Sequence, residues 1–463
     1  MQDRKNEGYY NPMKKRIFII PGVLFLAILT WGGIYLNSLL PIITGYPAKY
    51  LCSAVFISNR DPGEVEATDL RFSFIQYAKN EVNYQEKSVT SRFLWGKSKA
   101  IFREGFGSTL LRNADEAALR QIQFPALTAV NVDPDTIEWP AGNVILDKNT
   151  GIDKKALAEI MDRLVVRNEY NGHAFGSIVI HKGIPVAEKY KGQFNKKTRF
   201  LSWSMAKSFT NALAGIMVME GKLDINQPAG ISMWQNDERR TITMNNLMKM
   251  QSGLHWNEDY GNRSDVTLML YEHNDFAGYA SRQPLDYPVG GHWYYSSGSA
   301  NIVCELMRKK FDRDDLYWSY AHSRLFDRTG MQDVVFEVDP TGTQAGSSYI
   351  YATVRDFARF GTLYLNDGVF NGERVLPEGW VKYSTVPVAD SKGSYGSFFW
   401  LNRGKYYPSA PEDMYFCFGY NGQRIFIIPS KDLIIVVVGY SPKSSGEMNF
   451  DLLLKDILGT IKS

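Results

Sequence analysis

The sequence predicts an α+β chain: an antiparallel sheet built from both ends of one domain, flanked by terminal helices, with a mainly helical insertion between them and a transmembrane helix in front. Three observations predict it. Residues 17–40 form an uncharged apolar run behind Lys14-Lys15-Arg16. An amphipathic stretch from Ile152 to Val165 leads into two apolar strand-like stretches, Ala174–His181 and Pro185–Tyr190. After a long helical and loop region to about residue 385, three more strand-like stretches and an amphipathic helix close the chain.

At ~1.5 Å per residue the first run crosses a ~30 Å hydrocarbon core. The basic residues before it place the N-terminus in the cytoplasm and all that follows outside, which in a Gram-negative bacterium is the periplasm. A cleaved signal peptide has a shorter apolar region and a small-x-small site. No clean site is present, and Pro41 and Pro47 follow the run. Ala48-Lys49-Tyr50-Leu51 before Cys52 does not make a lipoprotein signal. Residues 1–49 are therefore expected to be a cytoplasmic tip and membrane anchor.

Residues 50–150 read as a small β-rich region. Leu70–Gln76, Lys87–Phe93 and Ser98–Arg103 have strand composition with Asn and Gly breaks between them. Asp133-Pro134 and Trp139-Pro140 then mark irregular chain. The main domain, 151–463, opens with the helix at Ile152–Val165 and a hairpin around His181-Lys182-Gly183-Ile184. Phe200–Trp203 reads as a short extended approach to a helix on which Met205, Phe209, Ala212, Leu213, Ile216 and Met217 keep a helical period, stopped at Gly221. The closing strands are Ser397–Asn402, Met414–Ile428 (broken by glycines) and Leu433–Tyr440; Phe450–Ile461 is the last helix. A cleft between sheet and insertion is the natural place for a site.

The helix after Phe200–Trp203 opens on Ser204-Met205-Ala206-Lys207, the single Ser-x-x-Lys of the 463 residues. A serine hydroxyl needs a base beside it to act as a nucleophile. Residues three apart share a helix face, so Lys207 lies one turn from Ser204. Burial lowers a lysine pKa and lets the neutral amine take the serine proton. The helix N-terminus also offers free N–H groups to a developing oxyanion. Further on, Tyr294-Tyr295-Ser296-Ser297-Gly298 sits in a loop, where a tyrosine facing the lysine can relay a proton to a leaving group. Gly419-Tyr420-Asn421-Gly422-Gln423 interrupts a strand, and glycines there let a ligand approach the backbone. Taken alone, Tyr295 is better explained as one core tyrosine among 27.

These three motifs, in this order, resemble the serine β-lactamase and penicillin-binding protein superfamily, in particular its class C β-lactamase, esterase and 6-aminohexanoate-dimer hydrolase branch. The resemblance spans roughly residues 151–463 and includes Leu247–Leu254 and Leu325–Met331. It implies a β-lactamase/transpeptidase-like fold and no cofactor. It implies Ser204 as the acylated nucleophile, Lys207 as its activator and Tyr295 as the proton shuttle. The oxyanion hole would be the backbone N–H groups of Ser204 and Gln423, and Ser297, Tyr420, Asn421 and Gly422 would contact substrate. Two motifs depart from the family pattern: Ser297 stands where asparagine is usual, and Tyr420-Asn421-Gly422 replaces Lys-Thr-Gly. The missing lysine normally helps to hold a substrate carboxylate. The expected activity is therefore hydrolysis of a small-molecule amide or ester. The alternatives are a β-lactamase or D,D-carboxypeptidase whose carboxylate is held by Arg424 or Arg403, and a non-catalytic binding module.

Other classes find little support. A net charge of +3 leaves no electrostatic footprint for nucleic acid. Cys52, Cys304 and Cys417 have no metal spacing, and the six histidines form no His-Glu-x-x-His, so no metal is expected. No Gly-x-Ser-x-Gly is present to suggest an α/β-hydrolase. His255 and His292 are expected in surface or structural roles, and Trp256-Asn257-Glu258-Asp259-Tyr260 as a solvated loop.

Overall fold

Helix α1 (Pro12–Phe56) is 45 residues long in the computed structural model, which describes residues 12–127, 133–441 and 446–462. At ~1.5 Å per residue it measures about 68 Å, twice a hydrocarbon core. Exposure divides it. Leu26, Ile28, Trp31 and Ile34 are 65–68% exposed, whereas Leu40, Ile43, Leu51 and Cys52 are buried in the protein. The helix does not end with the apolar run at Leu40 but continues through Pro41 and Pro47 and across the expected boundary at residue 49. A proline inside a helix costs about 3 kcal/mol; burial of the whole second half outweighs it. Residues 49 and 50 thus lie inside a continuous helix.

Strands β1 (Lys79–Asn83), β2 (Ser88–Phe93), β3 (Gly96–Arg103) and β4 (Gly107–Leu110) form an antiparallel meander packed on that second half. Leu70–Gln76 is not the expected strand: Ser73 adopts φ 47°, which breaks extension, and Ser73–Tyr77 is a 3-10 turn. The short, largely polar β1 and β4 gave no alternation to read. A buried carboxylate ties the pieces together. Glu337 pairs with Lys49 at 2.5 Å and accepts from Ser53 Oγ at 2.8 Å and Ser108 N at 2.7 Å.

Helix α2 (Lys154–Val165) is capped by Asp153, whose side chain accepts from Lys155 N and Ala156 N. Strands β5 (His173–His181) and β6 (Ile184–Tyr190) follow. The insertion carries α3 (Ala206–Met219) and α4 (Ser297–Arg308), and α5 (Val354–Leu365) returns the chain to the sheet. Then come β7 (Trp400–Leu401), β8 (Tyr415–Gly419), β9 (Gln423–Ile428), β10 (Leu433–Tyr440) and helix α6 (Phe450–Leu458). The sheet order is β7-β8-β9-β10-β5-β6, all antiparallel. Both ends of the domain therefore meet at the β10–β5 pair, as the sequence predicts. Leu157, Met161 and Leu164 of α2 and Leu453 of α6 bury against Val179, Phe426 and Ile435 on one face. Helix α5 covers the other so closely that a Cβ on Gly361 would lie 2.9 Å from Ile434 Cγ2.

The stretch Met414–Ile428 is two strands rather than one. Gly419 pairs with Gln423 across a turn in which Asn421 (φ 57°) and Gly422 (φ 88°) are left-handed, a geometry that Asn and Gly tolerate.

Candidate active site

The turn that carries Ser204 is built from its backbone outward. Phe200–Leu201 pairs with Ile350–Ala352. Ser202, fully buried, donates its N–H to Ile350 O at 2.8 Å and its hydroxyl to Trp203 O at 2.9 Å. Trp203 is left-handed (φ 47°), a conformation that costs about 1–3 kcal/mol for a bulky residue. Its indole is held among the rings of Tyr46, Tyr50, Tyr260 and Tyr420, with centroids 5.5–6.3 Å away. Ser204 lies in the resulting 3-10 turn Trp203–Met205, directly before α3.

Lys207 is 1% exposed. Its Nζ lies 3.1 Å from Ser204 Oγ, 3.0 Å from Ser297 Oγ and 3.0 Å from Ser347 O. Burial brings its pKa down to about 8, with the Glu258 carboxylate acting in the opposite direction. Hydrogen-bond accounting then orients the amine. The Ser347 carbonyl can only accept, so it takes one N–H. Ser297 donates its own hydroxyl proton to Glu258 Oε1 at 2.5 Å, so it must accept from Lys207. A neutral amine therefore has its lone pair left for Ser204.

Tyr295 is half-buried, with its ring centroid 4.8 Å from Lys207 Nζ. Burial holds its phenol well above the ordinary range; Tyr395 and Glu258 add to this, and the Ser204 hydroxyl works against it. At neutral pH the phenol is protonated and able to donate.

The loop Trp256–Tyr260 is not simply solvated. Glu258 accepts from Trp256 Nε1 at 2.5 Å, from Ser297 N at 2.8 Å and from the Ser297 hydroxyl. Tyr260 stacks on Tyr420 at 5.3 Å. Sequence reasoning missed both residues as members of the site. The available signal was an acid set between two aromatic residues, a pattern that an exposed loop shares.

From the third motif, Tyr420 forms an aromatic wall with Tyr260 and Trp203. Asn421 is 6% exposed, and Gly422 is buried behind it. Strands β8 and β9 pack against the turn that carries Ser204. The approach demands glycine: a Cβ on Gly419 would sit 2.2 Å from Ser202 O. The Gln423 side chain is committed to β10, donating to Gly439 O at 2.6 Å and accepting from Gly439 N at 3.0 Å.

Arg424 does not face this site. It is buried between Phe418 and Phe450 and donates to Gly419 O at 2.8 Å and Gln423 O at 2.9 Å. Arg403 is exposed and lines a separate cavity with Asp413 and Tyr415. His255 pairs with Asp286 and His292 with Asp390, and neither bonds to the Ser204 network. The three cysteines are free and buried.

Comparison with known proteins gives the family and the fold. The Beta-lactamase family model matches residues 158–456. A 6-aminohexanoate-dimer hydrolase of Paenarthrobacter ureafaciens is 23% identical over 297 residues, covering 57% of this chain and 72% of the relative. A solved penicillin-binding protein homologue from Caulobacter crescentus shares the fold with a TM-score of 0.51 at 16% identity, covering 68% of this chain and 99% of that one. A family VIII carboxylesterase superposes with a TM-score of 0.53 at 14% identity, with the same two coverages. The chain belongs to the β-lactamase family and is a serine hydrolase of that family.

Proposed function

We propose that this protein is a membrane-anchored hydrolase that cleaves an amide or ester through an acyl-enzyme on Ser204. The observation that carries the reading is the Lys207 hydrogen-bond set, which leaves the amine lone pair for the Ser204 hydroxyl.

Ser204 Oγ attacks the substrate carbonyl carbon as its proton passes to Lys207. The oxyanion is held by the backbone N–H groups of Ser204 and Gln423. Tyr295 gives a proton to the departing nitrogen or oxygen and is reprotonated from Lys207. Water then attacks the acyl ester, its proton returns to the Lys207–Tyr295 pair, and the acid leaves with Ser204 restored. Glu258 acts through Ser297 as a positioning residue. Ser297, Tyr420, Asn421 and Gly422 line the substrate cleft.

The aromatic wall of Tyr260 and Tyr420 suits an apolar or flat acyl group. Strong β-lactamase or D,D-carboxypeptidase action is disfavoured, because Arg424 is buried in backbone bonds and does not replace the absent lysine. The relative named for the 6-aminohexanoate dimer supports an amide substrate. The apolar run that begins at Ile17 is long enough to cross a membrane and is largely exposed over residues 24–36, and Lys14-Lys15-Arg16 before that run supports a catalytic domain outside the cytoplasm.

The test is intact mass of the full-length protein in detergent after a fluorophosphonate, beside Ser204→Ala. One added phosphonyl group, lost in the variant, is the expected result. A folded protein that takes no label overturns the reading in favour of a binding module.

A further inference from the structure

We infer that the β2–β3 hairpin tip is a second membrane contact, which lays the catalytic domain on an anionic bilayer surface beside the anchor. The inference rests on the proposed anchorage through α1.

Leu94 and Trp95 form the tip and are each 62% exposed, an uncommon state for two large apolar residues side by side. Phe74 and Tyr77, on the neighbouring 3-10 turn, are 54% and 64% exposed, and the Phe74 ring lies 6.3 Å from Phe93 at the base of the tip. The tip is not free to point anywhere. Trp95 Nε1 donates to Asn37 Oδ1 of α1 at 2.9 Å, and Gly96 packs against Leu40.

Asn37 is where the helix leaves the bilayer by its own arithmetic. From Ile17, the first residue after the basic run, to Tyr35 is about 28 Å at ~1.5 Å per residue, which matches a hydrocarbon core. Trp31 and Tyr35 stack at 5.8 Å on the exposed helix, as interfacial aromatic residues do. Trp95 is therefore tethered at the level of the headgroups.

Charge completes the pattern. Lys79, Arg92 and Lys97 stand in register across β1, β2 and β3, directly behind the tip. All three are exposed, as is Arg71, and among the described residues none of the four forms an ion pair. An apolar tip backed by unpaired cations fits an anionic lipid surface rather than a protein groove: the apolar side chains enter the acyl boundary while the cations meet phosphates.

The test uses the full-length protein in vesicles of phosphatidylcholine and phosphatidylglycerol, with an environment-sensitive fluorophore on Leu94→Cys, Ile34→Cys or Glu373→Cys. The native thiols are buried, so each new cysteine is labelled selectively. Lipids carrying a shallow nitroxide are expected to quench position 94 at least about twofold, as they do a group ~5–10 Å inside the interface. Position 34 is expected to be quenched and position 373 not. Arg92→Glu with Lys97→Glu is expected to reduce quenching at 94 and leave 34 unchanged. Quenching at 34 with position 94 behaving like 373 overturns the hairpin inference and leaves the anchor standing. No quenching at 34 overturns the anchor, and this inference with it.

Discussion

Glu258 accepts the Ser297 hydroxyl at 2.5 Å, and this bond makes Ser297 an acceptor toward Lys207. The consequence is kinetic. In the proposed mechanism Lys207 must be neutral to take the serine proton, and it is neutral above its pKa of about 8. kcat/KM is therefore expected to rise with pH through about 8 on an ester substrate. In Glu258→Gln the carboxylate that favours the charged lysine is gone, so the rising limb is expected to move to lower pH. A limb that stays in place, or moves up, refutes the coupling.

Ser297→Ala separates positioning from binding. It removes one of three Lys207 partners and leaves the aromatic wall intact. kcat is expected to fall by about 10²–10³, with KM changing far less. Ser297→Thr, which keeps the hydroxyl, is expected to recover part of the loss. A variant with wild-type kcat shows that Lys207 needs no such tether.

Burial of Lys207 is a stability cost. Lowering its pKa from 10.5 to about 8 costs about 3 kcal/mol, an upper estimate, wherever the pH lies below 8. The sign follows from proton counting. Between about 8 and 10.5 the unfolded chain binds more protons than the folded one, so stability rises with pH across that window. Lys207→Met is expected to gain about 1–3 kcal/mol near pH 7 and to abolish turnover. Chemical denaturation in detergent, compared at pH 7 and 10, reads both effects. A gap that stays constant with pH excludes this origin.

Lys49 and Glu337 give the second half of α1 a structural role. Lys49→Met leaves a fully buried carboxylate without its cation and is expected to cost about 3–5 kcal/mol. Lys49→Met with Glu337→Gln is expected to restore most of it. Denaturation midpoints of the three proteins decide, and an additive loss in the double variant rules out the pairing as the cause. A chain beginning at residue 50 lacks Lys49 and Tyr46 and is expected not to fold as the full protein does.

How much was legible depended on the kind of signal. Strands β5 and β10 were readable as continuous apolar runs, because helices cover both faces of the sheet there, and helices α2 and α6 were readable because burial on one face imposes a helical period. Ser204, Lys207, Tyr295 and Ser297 could be named from short ordered motifs, and the structure brings these four together. Glu258 and Tyr260 were not readable, because their membership comes from a tertiary contact with α4 and β8–β9 and from no local pattern. The boundary expected at residue 49 falls inside α1 for a related reason. Pro41 and Pro47 signal a stop locally, and only packing against β2–β4 and the domain carries the helix through them.

Gly419 tests the approach of the sheet to the nucleophile turn. In Gly419→Ala the new methyl would start 2.2 Å from the Ser202 carbonyl oxygen. Neither side can yield cheaply. Ser202 is fixed by Ile350 and by its own hydroxyl bond to Trp203 O, and Gly419 is paired with Gln423. The strand must move by about an ångström, and it carries the Gln423 N–H proposed for the oxyanion with it. A displacement of that size costs on the order of 10² in rate where geometry is tight. Fluorophosphonate labelling of Ser204 is therefore expected to slow by about that factor in protein that still unfolds cooperatively. Labelling at the wild-type rate in a folded Gly419→Ala protein removes Gln423 from the oxyanion hole and leaves the Ser204 N–H to be paired with a donor from another element.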